Sequence, residues 1–287
     1  MKKLLLLLKK NLMLLLKAYI IGSSMTVPGV SGGTMAIILG VFDKLIYALN
    51  NIFKDFKNIF LFLLKFVIGA CLGIGSLAFL ITWLLETFTL PVSFFFVGAV
   101  IGGIPVIYKS MNGFNLTKII AVLIGLGIVI GISFLPQDLL KLTENFSLQK
   151  FFICLITGII CAVALYLPGI STSHLLYVLG MYTATMNAIK TLDILFLLTL
   201  GLGTLIGFLL TTKPLAYALE YHEQISYSVI LGFVIGSPLA IFTQSIIPEI
   251  STNLSSGTLW WIINITASLL LLIAGAAAIY ALSKKEN

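Results

Sequence analysis

The feature that most constrains this chain is a series of apolar stretches, each close to the length of a bilayer-spanning helix. Such a helix needs roughly 20 apolar residues, and 60% of the 287 residues are hydrophobic whereas only 9% are charged. A soluble domain is typically about 25% charged, so this chain cannot cover a water-facing globule. It is therefore predicted to be an integral membrane protein, not a cytosolic enzyme. The apolar elements cover residues 4–27, 34–50, 59–85, 92–107, 118–135, 151–167, 174–190, 193–212, 225–245 and 259–282.

Basic side chains are concentrated in the loops on one side of this series. The net charge is +7, and all 17 basic residues are lysine. Cytoplasmic loops of membrane proteins collect lysine, which explains this charge without a nucleic-acid partner. If the N-terminus is cytoplasmic, the inner loops hold Lys2, Lys3, Lys9, Lys10, Lys17, Lys54, Lys57, Lys109, Lys118, Lys213, Lys284 and Lys285. The outer loops then hold Lys141, Lys150 and Lys190. Both termini are therefore expected in the cytoplasm.

The two halves of the chain repeat each other. The run Pro28-Gly29-Val30-Ser31 corresponds to Pro168-Gly169-Ile170-Ser171, and the segment 98–102 corresponds to 232–236 at nearly the same offset. Each half has five apolar elements, and an odd number of crossings inverts the second half relative to the first. We therefore predict an all-α integral membrane protein with about 8–10 membrane segments. Its two inverted-topology repeats are expected at residues 1–140 and 141–287.

Each repeat contains a Pro-Gly motif that predicts a broken or re-entrant helical hairpin. The motifs are PGVSGGT at residues 28–34 and PGISTSH at residues 168–174. Proline ends a helix, glycine permits φ > 0, and Ser or Thr caps the next helix. Irregular backbone at membrane depth is either buried in protein or lines a wet cavity, and the start of a half-helix attracts anions such as phosphate. Pro and Gly also serve ordinary packing in membrane helices, but two copies in inverted halves favour an anion site near the midplane. The candidate substrate-binding residues are Pro28, Gly29, Ser31, Gly32, Gly33, Thr34, Lys44, Pro168, Gly169, Ser171, Thr172, Ser173 and His174.

Few ionisable residues lie inside the apolar elements. Asp43 and Lys44 follow the first motif, and Lys65 lies within residues 59–85. We expect Lys44 to contact an anionic ligand, and Asp43 and Lys65 are candidates for auxiliary charge. Snorkelling to the interface is the other role open to Lys65. His174 would add a pH-dependent charge at the anion site. No zinc-site spacing and no Walker loop occur in the sequence, so neither a metal nor a cofactor is expected.

Other small residues in the apolar elements are interpreted as packing residues. The GxG patterns at 73–75 and 201–203 lie in the middle of predicted spans, where glycine allows two helices to approach closely. The cysteines Cys71, Cys154 and Cys161 also lie in apolar stretches. We expect them to be buried apolar side chains, not disulfides or metal ligands.

The residues around both motifs resemble a known family. The run GSSMTVPGVSGGTMAIILGVFDKLI at residues 22–46 resembles the first signature of the bacterial polyprenyl-phosphate transporter family, and LPGISTSHLLYVLGMY at 167–182 resembles the second. The resemblance covers essentially the whole chain. The second signature of the family resembles PGISGS followed by an apolar residue, whereas this chain has Thr172 and His174. A substrate-binding role therefore carries over better to Ser31, Gly32, Gly33 and Ser171 than to Thr172 or His174.

This resemblance implies a translocase for undecaprenyl phosphate, the lipid carrier of cell-wall synthesis. The lipid would move from the outer to the cytoplasmic leaflet of a bacterial plasma membrane, with its head in a polar cavity and its tail in a lateral groove. Rocking of the inverted halves would alternate access, while proton coupling and oligomer formation stay open. One alternative is an undecaprenyl-diphosphate phosphatase-like enzyme, but that chemistry, as the family is understood, needs a Glu-rich motif and an arginine, and this chain has no arginine. Another alternative is a small-anion or solute transporter, which would share the same cavity physics.

Overall fold

The computed structural model describes residues 2–27, 30–136, 139–140 and 148–284, except the side chains of residues 2–8, 190, 244 and 284. Within these ranges the chain forms helices and turns, with no strand. Pro28, Gly29 and Lys141 lie outside the described residues. The helices are α1 (Lys2–Ser24), α2 (Gly32–Ile38), α3 (Phe42–Asn50), α4 (Phe56–Thr87), α5 (Thr89–Ser110), α6 (Leu116–Ser133), α7 (Leu148–Tyr166), α8 (Thr172–Val178), α9 (Tyr182–Thr191), α10 (Ile194–Tyr221), α11 (Glu223–Gly236), α12 (Pro238–Ile241), a π-helical turn (Phe242–Ile246), α13 (Ile247–Thr252) and α14 (Thr258–Lys284).

Most of the long helices can cross a bilayer. Among the described residues, seven helices are long and apolar enough: α4, α5, α6, α7, α10, the run Glu223–Ile241 and α14. The count rises to eight if α2 and α3, which meet at an angle of 114°, form one bent span. The prediction of an all-α, multi-pass membrane protein is therefore confirmed; the count reaches the lower end of the expected 8–10 segments only if the bent pair is one span.

Two helix pairs, α1 with α4 and α7 with α10, pack in the same way at glycines. A Cβ added at Gly69 would come within 2.7 Å of the Leu15 carbonyl oxygen, and one added at Gly203 would overlap the Leu155 carbonyl oxygen. Gly203 corresponds to Gly69 at the offset that separates residues 232–236 from residues 98–102. Leu155 corresponds to Leu15 at the other offset, the one that separates the two Pro-Gly motifs. The same contact therefore recurs in both halves. Close approach of the helix backbones explains why glycine stands at these positions.

A second set of pairs joins the two halves to each other. Helix α5 packs on α14, and α11 packs on α6. A Cβ at Gly98 would overlap the Leu272 carbonyl oxygen, and the equivalent residue Gly232 meets the Val122 carbonyl oxygen in the same way. Each half therefore contributes one helix to each of two equivalent helix–helix interfaces. We call such a close interface a seam, and the halves cannot separate without breaking both the α5–α14 seam and the α6–α11 seam.

The short helices α2 and α8 both pack against α7; α2 also contacts α5, and α8 also contacts α6. Each is seven residues long and begins at a Pro-Gly motif. Each is followed by a glycine in the left-handed region, Gly40 with φ of +64° and Gly180 with φ of +72°. These glycines turn the chain sharply into α3 and α9, because the left-handed region carries no penalty for a residue without a Cβ.

The structure also tests the residues assigned to packing. Gly73 meets the Tyr19 carbonyl in the α1–α4 seam, whereas Gly75, two positions further on, has nothing within 4 Å of an added Cβ. The packing explanation of the GxG patterns is therefore confirmed for one glycine of each pattern. All three cysteines are free thiols, but the expected burial of Cys71 is wrong, because this side chain is exposed on α4. Helix α4 presents most of its surface outward, towards lipid.

The two GxG patterns supply matched pairs of variants. We expect Gly73→Ala and Gly203→Ala to destabilise the protein by about 2 kcal/mol each, because the new methyl group meets a carbonyl oxygen of the facing helix. Gly75→Ala and Gly201→Ala should leave stability unchanged or slightly higher, because alanine favours helix and neither position has a neighbour within 4 Å. Thermal unfolding in one detergent measures all four variants. Equal melting temperatures within each pair would contradict the assigned seams.

Candidate functional site

The described part of the first motif begins α2 in a buried position. Ser31 occupies the N-cap position with extended backbone, at φ of −93° and ψ of 131°. Its hydroxyl does not cap its own helix; it donates a hydrogen bond to the Leu167 carbonyl oxygen across 3.1 Å. Residues 32–38 that follow are all buried. The first motif is therefore held against the chain that leads into the second motif.

The second motif caps its own helix and receives a contact from the first. Gly169 adopts φ of +82°, and its backbone N–H donates to Thr34 Oγ1 across 2.8 Å. Ser171 accepts a hydrogen bond from the His174 backbone N–H at 3.4 Å, and its hydroxyl lies 2.9 Å from the Ser173 hydroxyl. Ser31 and Ser171 are equivalent in the repeat, yet one joins the two motifs and the other caps α8.

The two chain breaks touch directly at Gly33. An added Cβ there would lie 2.6 Å from the Tyr166 carbonyl oxygen and 2.9 Å from the Pro168 nitrogen. Only glycine permits this approach without displacing backbone. The contacts at Ser31, Gly33 and Thr34 define what we call the motif junction, together with residues 166–169 on the other side.

The motif junction is closed in this structure. Exposed fractions are 3% for Ser31, 1% for Thr34 and 6% for Ser171. Hydrogen-bonding groups at this depth need partners inside the protein, and here each break supplies partners for the other. A phosphate group would therefore reach these residues only after the two breaks separate. The expected polar cavity at the motifs stays a prediction.

Three further candidate residues, Lys65, Asp43 and His174, lie at three different places. Lys65 Nζ donates to Asn11 Oδ1 at 3.0 Å, which ties α4 to α1 away from the junction. The Asp43 carboxylate accepts a hydrogen bond from the Tyr227 hydroxyl at 2.8 Å, which ties α3 to α11. His174 is half-buried on α8, with a hydrogen bond to the Ile132 backbone.

Two cavities are partly lined by equivalent positions of the two halves. One has a volume of about 470 Å³ and is lined by Thr26, which lies just before the first motif, and by Glu86. The other, about 500 Å³, is lined by Asp43, Glu220 and residues of α11. Glu220 is the counterpart of Glu86, at the same offset that relates 232–236 to 98–102. These glutamates were not among the predicted site residues, although that shared offset could have singled them out.

Lys44 lines a third cavity, of about 340 Å³, which also contains Lys17 and Ser283. The side chains come from α3, α1 and α14, far apart in the sequence. Lys44 is a predicted site residue because of its place after the first motif, whereas Lys17 served only to assign the topology and Ser283 was missed. Nothing in the sequence signals that these three residues meet.

No group of three or more His, Cys, Asp or Glu side chains in the described part of the chain could hold a metal ion. The polar groups at the junction are hydroxyls and backbone amides, and the charged groups in the cavities are lysines and separate carboxylates. Such an arrangement of donors can bind an anion.

Comparison with known proteins gives consistent matches over most of the chain. A family described as undecaprenyl phosphate translocase-like matches residues 21–259. A polyprenyl-phosphate transporter of Staphylococcus aureus (strain NCTC 8325 / PS 47) is 34% identical over 260 residues, which is 86% of this chain and 89% of the relative. A polyprenyl-phosphate transporter of Vibrio cholerae serotype O1 (strain ATCC 39315 / El Tor Inaba N16961) is 29% identical over 236 residues, 77% of this chain and 74% of the relative. No solved structure matches the chain.

The hydrogen bond between the motifs can be tested through stability. We expect Thr34→Val to destabilise the protein by about 1–3 kcal/mol, because the buried Gly169 N–H loses its acceptor while the shape is kept. Thr191→Val, at an exposed position on α9, is the control and should change stability by less than about 0.5 kcal/mol. Thermal unfolding in detergent compares the two. A Thr34→Val protein as stable as the control would show that the hydrogen bond between Gly169 and Thr34 contributes nothing to the fold.

Proposed function

This chain belongs to the undecaprenyl phosphate translocase-like family, and from that premise we propose that it carries a polyprenyl phosphate between the leaflets of a bacterial plasma membrane. Both relatives are named polyprenyl-phosphate transporters, in agreement with the interpretation of the chain as a transporter and not a phosphatase. The observation that carries the proposal is the motif junction, where two polar chain breaks from different halves meet in the middle of an apolar helix framework.

The phosphate head would bind where the two breaks separate. Separation frees the Gly169 N–H and the hydroxyls of Ser31 and Thr34, which are then available to phosphate oxygens. Donors of this kind bind anions without a formal cation, which suits a head group that must leave again on the other side. The isoprenoid tail needs no polar partner and stays in contact with bilayer lipid.

Access would alternate between the cavity lined by Glu86 and the cavity lined by Glu220. Their lining by equivalent residues, Glu86 in one and Glu220 in the other, supports opposite orientations of the two halves in the membrane. The lysine distribution assigns the Glu220 cavity to the cytoplasmic side, since Lys54 lines it. In this scheme the junction closes the path between the cavities, and rocking of the halves opens it to one side at a time.

The direction of net transport is proposed from the outer to the cytoplasmic leaflet, which returns the lipid carrier for another round of cell-wall polymer synthesis. A carrier alone only equilibrates its substrate between two states. Net inward movement therefore requires consumption of the lipid at the cytoplasmic face or coupling to an ion such as the proton.

A liposome assay tests transport directly. Purified protein is reconstituted with a fluorescent polyprenyl phosphate, and an impermeant quencher reports the fraction of label in each leaflet. We expect protein-dependent exchange of the phosphate, and much slower exchange of the unphosphorylated polyprenol. Exchange equal to that of protein-free liposomes would contradict the proposed function. Phosphate release from the diphosphate lipid would indicate the phosphatase-like alternative, and transport of inorganic phosphate the small-anion alternative.

The same assay tests the motifs. We expect Ser31→Ala combined with Ser171→Ala to slow exchange about tenfold, the cost of about 1.4 kcal/mol in head-group hydrogen bonds. A decrease in the exchange rate is the informative result. Loss of the Ser31–Leu167 hydrogen bond alone would favour separation of the breaks and would not slow exchange. Ser76→Ala combined with Ser251→Ala removes two exposed hydroxyls and serves as the control. Unchanged exchange in the motif variant would remove these serines from the mechanism.

A further inference from the structure

One wall of the Glu220 cavity and one wall of the cavity lined by Glu86, which we call the Glu86 cavity, are formed by counterpart residues. In the Glu86 cavity this wall comes from α4 and the start of α5, through Thr82, Leu85, Glu86 and Thr89. In the Glu220 cavity it comes from α10 and the start of α11, and includes Ala216, Leu219, Glu220 and Glu223. Each of these four residues lies at the offset that separates residues 232–236 from residues 98–102. The two halves therefore build this wall in the same way.

The opposite walls of the two cavities differ. In the Glu220 cavity the opposite wall is α3, a helix of the first half that packs against α10 of the second half. The counterpart of α3 is α9, which contributes Tyr182 as its one described residue to the Glu86 cavity. In the described part of the chain, α9 makes no comparable packing contact with α4. The rest of that wall comes from the π-helical turn and α13. The hairpin helix of one half therefore touches the other half at only one of the two cavities.

A hydrogen bond joins the two halves where α3 makes this contact. The Tyr227 hydroxyl of α11 donates to the Asp43 carboxylate of α3 across 2.8 Å, and both residues line the Glu220 cavity. Tyr227 is buried, with an exposed fraction of 5%. Hydrogen bonds to a charged acceptor are stronger than those between neutral groups. This bond therefore helps to hold α3 in place against the second half.

The counterpart of Tyr227 has no such partner. It is Ser93 on α5, and the counterpart of Asp43 at the offset of the Pro-Gly motifs is Thr183 on α9. Ser93 is only 1% exposed, yet its hydroxyl has no hydrogen-bond partner in this structure. The neighbouring serine of Tyr227, Ser228, instead donates to the carbonyl oxygen of Gln224, four residues earlier. A buried hydroxyl without a partner is rare and costs stability, so Ser93 needs an explanation.

We propose that Asp43 and Tyr227 form a gate that holds the cytoplasmic side closed, and that Thr183 and Ser93 form the equivalent outer gate, which is open in this conformation. The proposal rests on the proposed function, because it names the residues that position the two halves in each state of the transport cycle. In inverted repeats, an exchange of conformation between the halves exchanges the sides to which the protein is open.

Each gate contact then forms as the other breaks. When α3 leaves α10, Tyr227 loses its acceptor, and when α9 moves onto α4 and α5, the Ser93 hydroxyl gains a partner in Thr183. Closure on the outer side also requires α13 to leave the wall of the Glu86 cavity. The π-helical turn at Phe242–Ile246 precedes α13, and such a turn is a place where a helical segment can bend.

Distances between spin labels test both gates in the full-length protein in nanodiscs. Cys71→Ala removes the exposed native thiol, whereas Cys154 and Cys161 are buried. One labelled pair, Tyr47→Cys with Tyr217→Cys, reports the distance from α3 to α10. The other pair, Asn187→Cys with Trp83→Cys, lies at the counterpart positions and reports the distance from α9 to α4. All four positions are exposed, and electron paramagnetic resonance measures the fraction of protein at each distance.

Loss of the Tyr227 hydroxyl should move both distances in opposite directions. We expect Tyr227→Phe, which keeps the ring, to shift the ratio of the two states about tenfold, as for one charged hydrogen bond. The α3–α10 distance should lengthen and the α9–α4 distance shorten in the same fraction of molecules. Asp43→Asn keeps an acceptor without the charge and should cause a smaller shift of the same sign. Tyr280→Phe, at an exposed position on α14 outside both cavities, is the control and should change neither distance.

Variants of the outer gate should act in the opposite direction. Added to Tyr227→Phe, either Ser93→Ala or Thr183→Val should return both distances towards those of the unmodified protein, because the competing state loses its contact. Thr183 is the more informative position, since it is exposed and is not bonded to Ser93 in this structure. A merely structural role would give no effect there. Thr191→Val, at another exposed position on α9, is the matched control.

The outcomes separate the gates from transport itself. Unchanged distances in Tyr227→Phe, or a change in the α3–α10 distance alone, would overturn the paired gates even if the protein exchanges lipid in liposomes. Failure of Thr183→Val to reverse the shift would likewise overturn the outer gate. Opposite changes in the two distances, in a protein that exchanges no lipid, would support the gates and contradict the proposed function.

Discussion

The structure depends on the satisfaction of backbone and hydroxyl groups at membrane depth by partners inside the protein. The residues after a proline leave donors and acceptors without helical partners, and the cap that Ser171 provides for α8 satisfies only part of them. Here each break completes the other: Thr34 accepts from the Gly169 N–H, and Ser31 donates to the distant Leu167 carbonyl. The pairing fixes how the two halves meet, and the glycine seams of α5 with α14 and α6 with α11 hold them there.

Much of this fold follows from the sequence, since apolar length and the repeat offsets predict the long helices and which of them correspond. What the sequence does not contain is the rotation of each helix about its axis. Both glycines of the pattern at 73–75 are equally good packing residues, yet only Gly73 faces α1. Likewise Cys71 lies in an apolar stretch but on the outward face of α4. Tertiary packing, and not local propensity, determines which residues of a helix face its neighbours.

The candidate site, like the fold, could be predicted only in part from the sequence. The prediction that the motifs share a site rests on the duplication, and they are in contact in the structure. Equivalent residues nevertheless act differently, because Ser31 reaches across the junction while Ser171 caps α8. Lys65 carries a formal charge inside a span, but its partner is Asn11 on the neighbouring helix. The sequence predicts Lys17 only as a loop charge, whereas the folded chain brings it to Lys44 in one cavity. Long-range proximity of this kind cannot be derived from spacing.

A closed junction also limits how a substrate could drive transport. A ligand shifts a conformational equilibrium only by its difference in affinity for the two states. In the closed state the Gly169 N–H already has Thr34 as acceptor, so a phosphate gains nothing there. In the separated state that N–H and both motif hydroxyls would otherwise be unpaired at membrane depth, at a cost of about 1–3 kcal/mol for each group. Under the proposed mechanism, a phosphate oxygen would replace the acceptor that Thr34 withdraws, and the lipid head would thereby stabilise the separated state. An uncharged polyprenol offers no phosphate oxygens, so under the proposed mechanism the junction would also select for the phosphate.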